Sequence, residues 1–281
     1  MMKQGDCASI RRWVAALIAL FAALCTAGAA WAQSAAPPAA KPAPGNVSVA
    51  LVLAVDCSFS VSNDRFELQK RGYAAAFRNP QVLNAIRSLA TQSIAVTMFQ
   101  WTGPLLHVVV AAWTLINDEA SASAFADTVA AAPRQLFRGG TSISGAIDYA
   151  RILLAAGPFK GARRIIDISG DGSNNSGRPV TIARDEAVAD GIGINGLPIL
   201  TVEPDLDHYY YVNVIGGPGA FMIPAVNYDN FADAILQKLL NEIARIGTGA
   251  KSDIREASVT NSAKFARILP PNGIPAIATR H

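Results

Sequence analysis

The sequence predicts an α/β fold: a doubly wound, mostly parallel β-sheet with helices on both faces. Residues 47–55 form a short, almost continuously apolar run rich in valine, which is typical of a strand buried on both faces of a parallel sheet. Strand-like segments then alternate with amphipathic helical segments over residues 47–246. With 51% hydrophobic and only 16% charged residues, the chain of 281 residues can bury a large core.

Six strands and six helices are expected within residues 47–246. The first helix is indicated by Phe66, Tyr73 and Phe77, which share one helical face, and Asn79-Pro80 ends it. The second and third strands are joined by the turn at Gly103-Pro104. The predicted strands are 47–55, 94–101, 106–112, 164–168, 197–202 and 220–224, and the predicted helices are 64–78, 82–90, 119–132, 142–156, 180–190 and 231–246.

The first 32 residues have the pattern of a secretory signal peptide. Arg11-Arg12 supplies positive charge, residues 14–30 are apolar, and Ala30-Trp31-Ala32 is a cleavage site of the A-x-A type. The apolar run falls short of the roughly 20 residues that a membrane span needs. We therefore expect cleavage, no stable membrane insertion afterwards, and a periplasmic or secreted protein.

The remaining chain divides into a linker, one domain and a tail. Residues 33–46 are a Pro/Ala-rich linker, residues 47–246 are the folded domain, and residues 247–281 form a weakly patterned tail that we expect to be flexible. Cys57 is the only cysteine after the signal peptide, so it has no partner for an internal disulfide. The 24 basic and 21 acidic residues nearly balance, which argues against a nucleic-acid binder.

Three predicted loops place hard oxygen ligands at the carboxyl edge of the sheet, where sites form in doubly wound folds. Asp56, Ser58 and Ser60 form a D-x-S-x-S string after the first strand. Thr141 follows Gly139-Gly140 before a helix, and Asp171 lies in a Ser-Gly-Asp-Gly string after the fourth strand. Five such oxygens with two formal charges suit Mg²⁺ or another hard divalent cation such as Mn²⁺ or Ca²⁺. The low ligand charge leaves the ion free to bind an acidic group.

These motifs, in this order, resemble the metal-ion-dependent adhesion site (MIDAS) of von Willebrand factor type A domains. The resemblance covers roughly residues 47–246 and matches all five metal positions: Asp56, Ser58, Ser60, Thr141 and Asp171. The strings AVDCSFSV, FELQKRGYAAAF and VIGGPGAFM are similar to an uncharacterised group of bacterial exported von Willebrand A-like proteins. The resemblance implies a Rossmann-like fold and adhesion or assembly through a protein partner that presents a carboxylate.

Purely structural roles are the alternatives for several of these residues. Ser58 or Ser60 could cap the following helix, although Ser62 or Asn63 is the better candidate. Thr141 could cap the helix that begins at 142. We interpret Asn174 and Asn175 as turn residues rather than as groups that support the metal site, and Cys57 as a small buried hydrophobe.

Two other functions compete with a binding module. A metal-dependent, phosphohydrolase-like enzyme would use the same ion, but position 58 holds serine where haloacid-dehalogenase-type hydrolases have an acidic residue. The sequence also has no Walker-type loop and no G-x-S-x-G elbow. A periplasmic ligand-binding protein would be expected to have two lobes, whereas one alternating pattern predicts one. We therefore expect a binding protein rather than an enzyme, and no catalytic residues are assigned.

Overall fold

The structure is a computed structural model that describes residues 45–244. Its five strands are β1 (Gly45–Asp56), β2 (Ile94–Trp101), β3 (His107–Ile116), β4 (Phe159–Gly170) and β5 (Ile192–Pro198). They form one sheet of order β3-β2-β1-β4-β5. All neighbouring pairs are parallel except the β2–β3 hairpin, which is antiparallel. The predicted fold class is confirmed.

Helices connect the strands and cover both faces of the sheet. They are α1 (Asn63–Arg78), α2 (Pro80–Arg87), α3 (Glu119–Ala131), α4 (Ile143–Ala156), α5 (Val180–Ala189), the short α6 (Leu206–Tyr209) and α7 (Phe231–Ala244). A π-helical turn (Tyr210–Val214) continues α6, and a 3₁₀ turn (Tyr228–Asn230) precedes α7.

Two hydrophobic cores lie on opposite faces of β1. Successive side chains of a strand point to opposite faces, so a strand buried on both sides must be apolar throughout. Leu51 and Leu53 pack into the core beneath α1, α2, α3 and α7. Ala50 and Val52 pack into the core beneath α4, α5 and the 206–214 segment. The continuous apolar run of the sequence therefore reflects a central strand with two buried faces.

Residues other than the candidate metal ligands cap the two helices that follow them, α1 and α4. The Ser62 hydroxyl caps α1 by accepting a hydrogen bond from the Arg65 amide at 3.3 Å. The Ser142 hydroxyl caps α4 by accepting one from the Gly145 amide at 3.2 Å. The alternative roles of Ser58, Ser60 and Thr141 as helix caps are therefore wrong.

The last strands differ from the sequence prediction. β5 occupies residues 192–198 instead of 197–202, and among the described residues, 220–224 make a single isolated bridge, from Met222 to Gly196. Gly193 and Gly196 interrupt the apolar pattern of β5, so the sequence pattern does not predict a strand at these residues. Gly196 is required by packing, because a Cβ there would lie 2.6 Å from the Tyr210 ring. Residues 206–214, for which the sequence predicts no helix or strand, are helical.

The signal peptide predicted for residues 1–32, most of the linker and the tail from residue 247 lie outside the described residues. Gly45 and Asn46, which the sequence predicts to be part of the linker, belong to β1. Within residues 45–244, no helix has the length and apolar character required to cross a membrane.

Candidate metal centre

The site lies where the chain order of the sheet reverses. From β1 the chain proceeds to β2 on one side and later to β4 on the other, so β1 and β4 flank a topological switch point. Asp56 is the last residue of β1, and Asp171 follows the last residue of β4. Parallel pairing brings both carboxylates to the same edge of the sheet.

Asp56 is buried with one carboxylate oxygen satisfied and one not. Its Oδ1 accepts a hydrogen bond from the Ser58 amide at 2.6 Å. Its Oδ2 is buried and has no hydrogen-bond partner among the described residues. Burial, and to a smaller extent the charge of Asp171, raise the pKa of the Asp56 carboxyl to about 7. A carboxylate in this state is one that a bound cation would stabilise.

The two serines connect Asp56 to Asp171. The Ser58 and Ser60 hydroxyl oxygens lie 3.2 Å apart. The Ser60 hydroxyl donates a hydrogen bond of 2.5 Å to Asp171 Oδ1. Residues 58–61 form a turn that the Val61 amide closes by donating to the Ser58 carbonyl at 3.1 Å, and this turn brings the two hydroxyls together.

Asp171 is buried and held by two residues far away in the sequence. Its Oδ2 accepts a hydrogen bond from the Tyr228 hydroxyl at 2.9 Å, and the Arg65 guanidinium lies 3.5 Å away. The Arg65 guanidinium also lies 5.2 Å from the Tyr228 ring centroid, so the two residues support each other. The sequence predicts a role at this site for neither residue, because each stands in a segment whose local pattern indicates only helix formation or packing.

Thr141 is fixed beside Asp171 by an asparagine. The Asn175 side-chain oxygen accepts a hydrogen bond from the Thr141 backbone amide at 2.8 Å, and the Asn175 backbone amide donates to the Thr141 carbonyl at 2.9 Å. A Cβ built on Gly172 would lie 3.5 Å from Thr141 Oγ1, which places the threonine hydroxyl against the Asp171 loop. Gly140 permits this approach, because a Cβ there would lie 2.8 Å from Asn175 Oδ1.

The interpretation of Asn174 and Asn175 as turn residues is wrong. Asn175 joins the Asp171 loop to Thr141, and Asn174 Oδ1 accepts a hydrogen bond from the Ser144 amide at 2.9 Å. Both side chains therefore hold one ligand-bearing loop against another. A pair of asparagines after an Asp-Gly turn carries no local signal for this role.

The residues present fit a hard divalent cation. The cluster brings together hydroxyl and carboxylate oxygens, and the buried Asp56 Oδ2 has an unused acceptor site. The buried Tyr210 hydroxyl, also without a hydrogen-bond partner among the described residues, lies near it: a Cβ on Gly170 would be 2.9 Å from Asp56 Oδ2 and 3.1 Å from Tyr210 Oη. Within residues 45–244, no three or more His, Cys, Asp or Glu side chains are grouped so that they could hold a metal ion.

Cys57 is buried on the opposite side of the turn, as expected. It packs with Val61, Phe66 and Leu136 in a small apolar cluster. Burial, and the nearby Asp56 charge, raise the pKa of its thiol well above the ordinary value. It is therefore a packing residue rather than a reactive thiolate.

The sheet order and the helices on both faces are those of the von Willebrand factor type A-like α/β fold. The chain belongs to the family described as "Protein of unknown function (DUF1194)", whose match covers residues 46–247. No curated protein matches the chain.

Several solved structures share the fold at low sequence identity. The pilus adhesin SpaC from Lactobacillus rhamnosus GG is 14% identical with a TM-score of 0.51, over 70% of this chain and 30% of that one. Proximal thread matrix protein 1 from the mussel byssus, solved with a zinc-occupied MIDAS motif, is 12% identical with a TM-score of 0.50, over 70% and 46%. A von Willebrand factor type A protein from Catenulispora acidiphila is 16% identical with a TM-score of 0.48, over 70% and 43%. This chain thus spans less than half the length of these structures.

Proposed function

We propose that this chain is an exported, metal-dependent protein-binding module that serves adhesion or assembly. Asp56, Ser58, Ser60, Thr141 and Asp171 would hold the cation, with Mg²⁺ the first candidate and Mn²⁺ or Ca²⁺ the others. The bound ion would bridge to a carboxylate of a protein partner. The observation that carries the proposal is the buried Asp56 Oδ2, which has no hydrogen-bond partner within residues 45–244 and lies in a cluster of hydroxyl and carboxylate oxygens.

The charge of the cluster supports a carboxylate as the partner group. The two carboxylates formally balance the charge of a divalent ion, and the three hydroxyls are neutral. Asp171 already accepts hydrogen bonds from Ser60, Tyr228 and Arg65, so its negative charge is only partly available to the ion. An ion held this way retains electrophilic character toward an incoming oxygen. Two structural neighbours fit this view, since one is a pilus adhesin and the other holds zinc in its MIDAS motif.

A hydrolytic role for the site finds no supporting observation. The nearest nucleophile in sequence, Cys57, is buried away from the ligands with a raised pKa. His107 stacks on Tyr149 with ring centroids 4.7 Å apart and serves packing at the start of β3. An enzyme at this edge would need a positioned base, and the described ligand loops supply none beyond the ligands themselves.

The proposal is tested by metal binding and by partner binding in parallel. Mg²⁺ should raise the melting temperature of the wild-type protein, and a chelator should reverse the shift. Asp56→Ala should abolish the shift, while Asp233→Ala, which removes an exposed aspartate of α7, should keep it. Retention of partner from an envelope extract should require both Mg²⁺ and Asp56. Full retention by Asp56→Ala in excess Mg²⁺ would contradict the proposal.

A further inference from the structure

Three large apolar side chains are exposed on loops around the candidate metal centre. Phe59 is 81% exposed, Leu105 is 90% exposed and Phe137 is 57% exposed. Single exposed hydrophobics are ordinary on a protein surface, whereas several grouped beside a functional site mark an interaction surface. We name these three residues the apolar rim.

Hydrogen bonds hold the three loops of the apolar rim against one another. The Arg134 guanidinium lies 5.3 Å from the Phe137 ring centroid and donates to the carbonyls of Cys57 and Ser58 at 3.2 and 3.5 Å. Phe137 therefore lies beside the loop that carries Phe59.

The third loop is tied to the second in the same way. The Thr102 hydroxyl donates to the carbonyls of Arg138 and Gly140, at 3.2 and 3.0 Å. The Leu106 amide closes the hairpin turn by donating to the Gly103 carbonyl at 3.2 Å. Leu105 thus projects from a turn fixed to the Phe137 loop.

Phe59 lies in the same turn as two candidate ligands. It stands between Ser58 and Ser60, whose hydroxyls lie 3.2 Å apart. The Val61 amide closes this turn by donating to the Ser58 carbonyl at 3.1 Å, and Phe59 projects from the turn with 81% of its surface exposed. The site therefore presents an aromatic ring within one residue of its ligands, about 4 Å along the chain.

The charge around the site differs between its two sides. Next to Phe137, Arg138 is exposed, and no ion pair engages its guanidinium within the part of the chain that the structure describes. On the far side, the loop after β5 carries Glu203, Asp205 and Asp207. The Glu203 carboxylate is held by Ser173, through its amide at 3.0 Å and its hydroxyl. An acidic partner is therefore favoured on the side of the apolar rim.

We propose that the apolar rim binds large apolar side chains that flank the metal-bound acidic residue of a protein partner. The recognised segment has an Asp or Glu with an aromatic or branched aliphatic residue one or two positions away, since Phe59 is adjacent to two ligands. This inference rests on the proposed function, because the metal supplies the acidic half of the recognition. The apolar rim determines which acidic segments bind.

The test is selection from a phage-displayed library of random linear peptides on the immobilised protein, in Mg²⁺, with elution by chelator. Selected peptides should share an acidic residue with an aromatic or aliphatic neighbour within two positions. Phe59→Ser combined with Phe137→Ser should keep the acidic preference and lose the apolar one. Affinity for a selected peptide should fall about tenfold or more in this variant. Ile182→Ser, at an exposed apolar position of α5, should leave affinity unchanged.

The outcomes separate this inference from the proposed function. The Mg²⁺-dependent rise in melting temperature of the double variant shows that it is folded and holds the ion. Acidic peptides without an apolar bias, or unchanged affinity in the double variant, would overturn the rim while leaving the metal module intact. Acid-dependent selection that survives in Asp56→Ala would overturn the proposed function instead.

A lipid surface is the competing occupant of exposed phenylalanines and an arginine. Vesicles of anionic phospholipid should not sediment with the protein in Mg²⁺ or in chelator. Vesicle binding that persists in chelator and is lost with Phe59→Ser and Phe137→Ser would overturn the peptide proposal in favour of membrane contact.

Discussion

Asp56→Asn should make the metal-free protein more stable at neutral pH while removing its ability to bind the ion. The Asp56 carboxyl is fully buried, and its pKa is raised from 3.8 to about 7. Between these two values the folded protein holds a proton that the unfolded chain has released. Stability from this group is therefore present below about pH 4 and is lost as pH rises through about 7.

The magnitude follows from the size of the pKa shift. A shift of about three units corresponds to about 4 kcal/mol in total, of which about 2.5 kcal/mol falls between about pH 5 and about pH 8. Asparagine has nearly the same shape and retains the oxygen that accepts from the Ser58 amide at 2.6 Å. The variant minus wild-type difference in unfolding free energy should thus grow by about 2.5 kcal/mol over this range.

The assay is urea unfolding of both proteins in chelator across this pH range. The difference between the proteins matters, because burial also raises the pKa of Asp167 to about 7, and that contribution cancels in the comparison. Addition of Mg²⁺ should stabilise the wild type above about pH 7 and leave Asp56→Asn unchanged. A difference that stays constant with pH, or that shrinks as pH rises, would refute the reasoning.

Two further predictions concern groups that support the site and the last helix. Asn175→Ala should weaken Mg²⁺ binding about tenfold in titration calorimetry, since the Asn175 side chain positions Thr141. Asn241 is exposed on α7, and the control variant Asn241→Ala should bind Mg²⁺ like the wild type. Equal affinities of the two variants would contradict this prediction. Lys238→Met should lower the free energy of unfolding in urea by about 3–5 kcal/mol. Lys238 is buried at 2.5 Å from both Asp167 and Glu242, and without it these two buried carboxylates have no positive charge beside them. A loss below about 1 kcal/mol would show that these carboxylates are neutral in the fold.

That Asp56 and Asp171 lie at one edge of the sheet could be predicted, because the sheet topology brings the two residues together. Asp56 and Asp171 each follow a strand directly, and parallel strands end at a common edge. A local motif together with the order of strands therefore defines a cluster without any knowledge of side-chain contacts.

The sequence does not predict which residues hold the candidate ligands in place. Tyr228 reaches Asp171 from the turn before α7, and Arg65 reaches it from α1. Neither segment shows a local pattern other than helix and packing, so only the tertiary structure identifies their role. β5 was misplaced for a related reason, because Gly196 is selected by its contact with Tyr210 and not by strand propensity.

Diffraction from crystals of the protein soaked in Mn²⁺, recorded at the manganese absorption edge, tests the central claim most directly. The account predicts an anomalous peak among the oxygens of Asp56, Ser58, Ser60, Thr141 and Asp171, within direct or water-mediated distance of Asp56 Oδ2. The same soak of Asp56→Asn should give no peak there. A wild-type crystal with these loops ordered and no peak at this edge of the sheet, or with manganese bound only elsewhere, would contradict the account.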